Sequence, residues 1–257
     1  MMKRVFLSLL LGIVLCLVGC KPENESTNIY LSIDYKIDGQ MVTFDSLGYQ
    51  NDAGNQYMVN EIQWFISHVE IKNEKGKWIK FNNDSDIQYL EASAQGRTRL
   101  HEQTLPKDHY TAIRFTFGLD EAENQTGLFS NPPESEMFWP EPLGGGYHYM
   151  KLNGKWRNAD GELVPLCIHL GTGQNAELTE FYPNHFSVEF PFDAVIGRTY
   201  ACSINLSMEI NNWFRNPHTY DFSDYGSGIM QNQTAQQVLK ENGCDVFSII
   251  TQNYYHE

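Results

Sequence analysis

The sequence predicts an all-β fold: a single antiparallel β-sandwich or barrel-like domain with long loops and one short C-terminal helix. Three observations carry this expectation. Apolar residues recur at every second position in one segment after another, the period of a half-buried strand. Turn residues such as Asp38-Gly39, Lys75-Gly76 and Asn153-Gly154 punctuate these segments. One stretch alone, Thr234 to Asn242, carries helical start and stop signals. With 257 residues, 41% hydrophobic and 13% aromatic, the chain can fill a sizeable core and is incompatible with wholesale disorder.

In chain order, Ile29, Leu31, Ile33, Tyr35 and Ile37 alternate with polar residues. Asp38-Gly39 then turns the chain and Met41 to Phe44 returns as a hairpin. Ile62, Trp64 and Ile66 alternate next and are followed by Val69 and Ile71, with Trp78 to Phe81 after the turn. Tyr110 to Phe117 is rich in aromatic and β-branched residues, as strands are. Tyr147, Tyr149 and Lys151 alternate against His148, Met150 and Leu152, and Asn153-Gly154 is expected to turn the chain. Val164, Leu166, Ile168 and Leu170 share one face of the following strand, with Cys167 and His169 on the other. Phe186 to Phe190 and Tyr200 to Ile210 give two more strands. Thr234 with Gln237 fits a capping box, and Gly243 stands where a helix-ending glycine belongs.

The N-terminus is an address. Lys3 and Arg4 precede an apolar run from Val5 to Val18, the pattern of a secretory signal and too short for a comfortable membrane span. Leu17-Val18-Gly19-Cys20 resembles a bacterial lipobox, which implies cleavage before Cys20 and lipidation of its thiol. The expected organisation is a signal peptide over 1–19, a polar tether over 20–28 and one β domain over 29–257. Membrane attachment is expected through the lipid on Cys20, in the cell envelope; Lys21, rather than Asp, follows the cysteine and suits outer-membrane sorting. The formal charge of −14 excludes a phosphate-tracking nucleic-acid binder, and loss of Lys3 and Arg4 makes the mature chain more acidic still. Cys167, Cys202 and Cys244 remain in an oxidising compartment. That odd number permits one disulfide, Cys167 with Cys202, plus a spare thiol, or a thiol engaged with metal.

Chemistry centres on the segment from Asp120 to Gly146, long enough for a loop to be functional. It carries prolines, the run Met137-Phe138-Trp139 and three consecutive glycines, Gly144 to Gly146. There is no G-x-S-x-G, H-E-x-x-H, P-loop or dinucleotide fingerprint, so an enzyme is disfavoured. Paired acids such as Asp120 and Glu121 could serve a glycosidase, but acids abound in this chain. A metal site has more behind it. His148 with Met150 and Cys167 with His169 lie on successive strands, while the loop supplies Met137 and Trp139. Imidazole with thioether or thiolate is a soft to borderline set that favours copper, above all Cu(I), over calcium or magnesium.

The series Phe117-Gly118-Leu119-Asp120-Glu121, Asn131-Pro132, Met137-Phe138-Trp139, Gly146-Tyr147, Lys151 to Gly154 and Ile168-His169-Leu170-Gly171 resembles the MbnP-like family. Trp64 to Ile71, Ile229-Met230, Asn242 and Phe247 extend the resemblance over most of residues 28–250. It implies a β-rich secreted protein that binds copper. In some members a di-haem enzyme of the MauG type oxidises a tryptophan to kynurenine. Carried over, Trp139 matches that tryptophan and His169 the histidine of the His-Leu-Gly motif. The chain departs from the pattern at Glu141, where many members have a second tryptophan. The expected function is therefore a lipid-anchored extracytoplasmic copper-binding protein with His148, His169, Met137 and Trp139 as candidate ligands. The rival is a metal-free surface lipoprotein that binds glycan or protein through the aromatic loop over 129–147.

Overall fold

Period-two patterning resolves into two large β-sheets packed face to face, with residues 173–174 and 181–182 forming a separate two-stranded antiparallel ribbon. The computed structural model describes residues 26–256 except 82–84, 93–95, 176, 197–199 and 227. The expected signal peptide, Cys20 and most of the tether lie outside the described residues. In chain order the strands are β1 (Ser26–Ile37), β2 (Gln40–Met41), β3 (Tyr49–Gln50), β4 (Gln56–Asn73) and β5 (Trp78–Lys80). They continue with β6 (Ile87–Glu91), β7 (Arg97–Pro106), β8 (Asp108–Phe117), β9 (Met150–Arg157) and β10 (Leu163–Leu170). After β11 (Gly173–Gln174) and β12 (Phe181–Tyr182) come β13 (Phe186–Ile196), β14 (Tyr200–Glu209) and β15 (Phe247–His256). Two α-helices, α1 (Phe222–Tyr225) and α2 (Gln233–Asn242), precede β15.

One sheet has the order β15-β14-β1-β2, with β7 on β1; the larger has the order β10-β9-β4-β8-β13, with β3, β5 and β6 on β4. All of these pairs are antiparallel except β1 with β14, whose residues run in parallel from Ile29–Cys202 to Lys36–Glu209. The sandwich core lies where the sheets meet. The Trp64 ring sits 5.5 Å from that of Phe247, and Phe115 meets Phe247 edge-on at 5.2 Å. Trp64 Nε1 donates across the sandwich to Tyr35 Oη at 2.9 Å. Burying each such large side chain contributes about 1.5–3 kcal/mol, so these aromatic pairs add to the aliphatic residues of the same core in holding the sheets together.

The phase change between Ile66 and Val69 has a physical cause. His68 takes a positive φ of 51°, and the β4–β8 register shifts between Ser67 and Glu70. The extra residue of this bulge moves the apolar set back onto the core face. Phe65 points the other way, yet it too is fully buried. Its cover is the long loop: Phe129 stacks on it at 5.4 Å and 10°, and Tyr147 meets it edge-on. The loop is thus a packed outer layer on the larger sheet.

Four details differ from the sequence reading. The first hairpin turns at Asp38-Gly39, both at positive φ, but its return strand is only Gln40–Met41. Asn153-Gly154 lies inside β9; the turn falls at Asn158 to Gly161, where Asn158 Oδ1 accepts from the Asp160 and Glu162 amides. The α2 N-cap is Asn232, which accepts from Ala235 N, rather than Thr234, and Gly243 ends the helix at an ordinary φ of −59°. Cys167 is a free thiol, so the Cys167–Cys202 disulfide is not formed. The two residues stand on different sheets, β10 edging the larger and β14 belonging to the other, and the side chain of Cys202 is not among those described.

Candidate metal centre

The chain reaches the site through a loop built to reverse sharply. Two short 3-10 turns, Glu134–Met137 and Glu141–Leu143, flank Phe138 to Pro140. Gly144, Gly145 and Gly146 all take positive φ, a conformation that favours glycine. This folds the loop back on itself, so that Trp139 N donates to Gly146 O at 2.8 Å and Phe138 bridges to Tyr147. Trp139 drives inward and is only 1% exposed. Its Nε1 donates to Leu143 O at 2.9 Å, and its ring lies so close to Gly171 that a Cβ there would meet Cε3 at 2.5 Å. The glycine of the His-Leu-Gly motif is therefore the floor under the indole.

His148 stands against that indole, ring centroids 4.7 Å apart at 76°. Its Nδ1 lies 3.0 Å from Met137 O. A carbonyl only accepts, so Nδ1 carries the proton and Nε2 keeps its lone pair. That Nε2 is buried without a hydrogen-bond partner. The His169 ring is 5.1 Å away at 83°. Asn153 Nδ2 donates to Glu61 Oε2 at 3.0 Å, which turns Asn153 Oδ1 toward His169 Nε2 at 2.8 Å. His169 accordingly donates from Nε2 and holds its lone pair on Nδ1. Metal-binding imidazoles are commonly fixed in this way, one nitrogen tied to a carbonyl or amide so that the other is free.

Burial sets the charge state. It pushes His148 down to about 3, against the carbonyl bond to Met137 and with help from His169 and Lys151. Burial also takes His169 down to about 4, with the Lys151 ammonium adding to the effect. Lys151 itself is drawn aside by its bond to Glu136 O at 2.6 Å. Both imidazoles are neutral at pH 7, the form that ligates.

His148, His169 and Trp139 thus converge. Met137 touches His148 through its carbonyl, and its side chain belongs to the hydrophobic core. Met150 is core as well, because regular alternation begins only at β9, after His148. Cys167 is half-buried on the same strand as His169, its thiol raised by burial. Trp139 is unavailable as a sugar-stacking platform, although Phe138 beside it is 62% exposed. Asp120 and Glu121 do not pair: Asp120 Oδ2 faces His68 at 3.3 Å, and Glu121 faces His185 at 3.3 Å.

The sequence reading missed three supporting residues. Asn153 and Glu61 orient His169, and Gln236 on α2 donates to His169 O at 2.6 Å. Gln236 is fully buried, and its Oε1 accepts from Gly171 N and from Asn184. A glutamine on the inward face of an otherwise amphipathic helix was the available signal.

A family model described as MbnP matches residues 26–232. Among solved structures, the chain is similar to MbnP from Methylosinus trichosporium, at 15% identity and a TM-score of 0.55, with 87% of this chain and 98% of that chain covered. At that identity the likeness speaks to the fold. A search of curated proteins returns no match. The family match takes in both sheets, the long loop and the His148–Trp139–His169 cluster, and on that match the chain belongs to the MbnP family.

Proposed function

We propose that this protein is a lipid-anchored, extracytoplasmic copper-binding protein that holds Cu(I) between His148 and His169. The observation that carries the reading is the His148 Nε2 lone pair, sealed from water with no donor to satisfy it. An unsatisfied buried polar atom costs roughly 1–3 kcal/mol, and a Lewis acid would remove that cost. Two neutral imidazoles beside an indole form a donor set suited to a soft to borderline ion. Membership of the MbnP family supports a copper association.

Bound copper would supply a redox-active or transferable ion. The chain's own residues do the rest. Met137 O and the Glu61–Asn153 pair hold the two tautomers, and Trp139 with Gly171 closes the wall. Gln236 fixes the backbone beneath His169. Oxidation of Trp139 to kynurenine by a di-haem partner of the MauG type, with dioxygen or peroxide as the oxidant and the indole C2 released by hydrolysis as formate, would place a new donor beside His148. Intact mass would report it as loss of one carbon and gain of one oxygen at Trp139.

The test of copper binding is titration of the lipid-free domain with Cu(I) against a competing chelator. One equivalent is expected, with affinity lost in His169→Ala. Stoichiometry well below one, or an unchanged affinity in the variant, contradicts the proposal.

A further inference from the structure

We propose that His68, Asp120 and Glu123 form a second metal site, which takes a divalent ion of the zinc class. It is separate from the His148–His169 pair and does not depend on that reading. The fold brings the three together from the β4 bulge and from the start of the long loop. Ser67 Oγ donates to Gly118 O at 2.7 Å, tying the bulge to that loop. Asp120 Oδ1 accepts from the Ala122 and Glu123 amides at 2.9 and 3.0 Å. The other oxygen, Oδ2, is left facing His68 Nε2 at 3.3 Å. Glu123 Oε2 lies 3.0 Å from the same nitrogen.

Two facts point to a ligand rather than to an ion pair alone. His68 Nε2 and Glu123 Oε2 are both sealed from solvent, and neither makes a hydrogen bond of proper geometry. One N–H could in any case satisfy only one of the two carboxylates. A single cation satisfies all three atoms at once. With bonds of about 2.1 Å to nitrogen and oxygen, a tetrahedral zinc ion spaces its ligands by about 3.4 Å. The two spacings to His68 Nε2 are close to that value, and the three ligand atoms lie within 4.8 Å of one another.

The donor set selects the ion. One imidazole and two carboxylates are borderline to hard, with no thiolate or thioether to favour Cu(I). Two carboxylates balance the charge of a divalent ion. The imidazole argues for zinc over calcium, which takes oxygen ligands in larger number. Beside the cluster a cavity of about 550 Å³, lined in part by His68, Asp120, Glu70, Asp86 and Arg114, gives water access for a fourth ligand.

The experiment uses the lipid-free domain stripped of metal and titrated with Zn²⁺ against a chromophoric chelator. Wild type should bind one equivalent at this site, and Zn²⁺ should raise its Tm. Glu123→Gln should weaken binding by tenfold or more. His68→Asn should do the same; asparagine tolerates the left-handed backbone there, so the bulge is kept. His169→Ala should leave Zn²⁺ affinity unchanged. No Zn²⁺ uptake by wild type, equal affinity in Glu123→Gln and His68→Asn, a Tm raised equally in wild type and His68→Asn, or Zn²⁺ binding lost in His169→Ala would each overturn the proposal. Binding of Ca²⁺ in preference to Zn²⁺ would overturn the assigned class.

Discussion

Acidification separates the proposed copper site from an ordinary pair of surface histidines. An imidazole in water titrates near 6.5, so at pH 5 a proton competes with metal by about 30-fold at each ligand and on the order of 1,000-fold at two. In the folded protein the corresponding values are about 3 for His148 and about 4 for His169. At pH 5 roughly 1% of His148 and 10% of His169 would be protonated, so Cu(I) affinity should change by less than about 1.2-fold between pH 7 and 5. The same shift has the opposite consequence for the metal-free fold. The unfolded chain takes up protons below 6.5 that the folded imidazoles refuse, so stability falls as pH drops through that window. It levels off only below the folded values. Each histidine accounts for about 2 kcal/mol between pH 7 and 5, together about 4 kcal/mol of a typical 5–15 kcal/mol. The assay is Cu(I) competition at pH 7, 6 and 5 with a chelator of known protonation behaviour, alongside urea unfolding of the apo domain. A thousandfold loss of affinity by pH 5 would refute the reasoning, since it would mean solvated imidazoles.

Three further outcomes follow, two from the structure and one from the sequence. Asn153→Ala frees the His169 ring and should cost about 10–100-fold in Cu(I) affinity, read by the same competition, with the far-UV spectrum unchanged. Gly171→Ala drives a methyl into the Trp139 ring and should lower stability by about 1–3 kcal/mol, seen as a reduced urea midpoint and altered tryptophan fluorescence. Cys20→Ser, if the lipobox reading holds, should move the protein from the membrane fraction to the soluble fraction of cells. A membrane-bound variant would refute lipid anchoring through that thiol.

The strands were legible because they obey a local rule. Alternation at Ile29–Ile37, Tyr110–Phe117, Leu166–Leu170 and Tyr200–Met208 survives into β1, β8, β10 and β14. The slip between Ile66 and Val69 was not read, because its cause is the left-handed His68, a backbone conformation that no local pattern announces. Pairing was less accessible. The parallel contact of β1 with β14 joins segments about 170 residues apart, and no short-range pattern encodes it. Asn153-Gly154 misled because a turn dipeptide also serves inside a strand where backbones approach closely: a Cβ at Gly154 would meet Met58 O at 2.0 Å.

Residue type and spacing singled out His148, His169 and Trp139, which the loop and β10 carry as compact motifs and which the fold brings side by side. The residues that hold them came from elsewhere. Glu61 on β4 and Gln236 on α2 act through single hydrogen bonds to groups remote in sequence. His68 and Asp120 stand 52 positions apart by number yet share one cluster with Glu123, which only the β4–β8 pairing brings about.

The central claim is that one ion meets the free nitrogens of His148 and His169. Long-range ¹H–¹⁵N correlation of the histidine side chains, recorded with and without one equivalent of Cu(I), tests it at the level of the atoms. The account predicts selective shifts of His148 Nε2 and His169 Nδ1, with His148 Nδ1 and His169 Nε2 still protonated. Unmoved resonances at both rings, or shifts confined to other histidines such as His68 or His218, would contradict it.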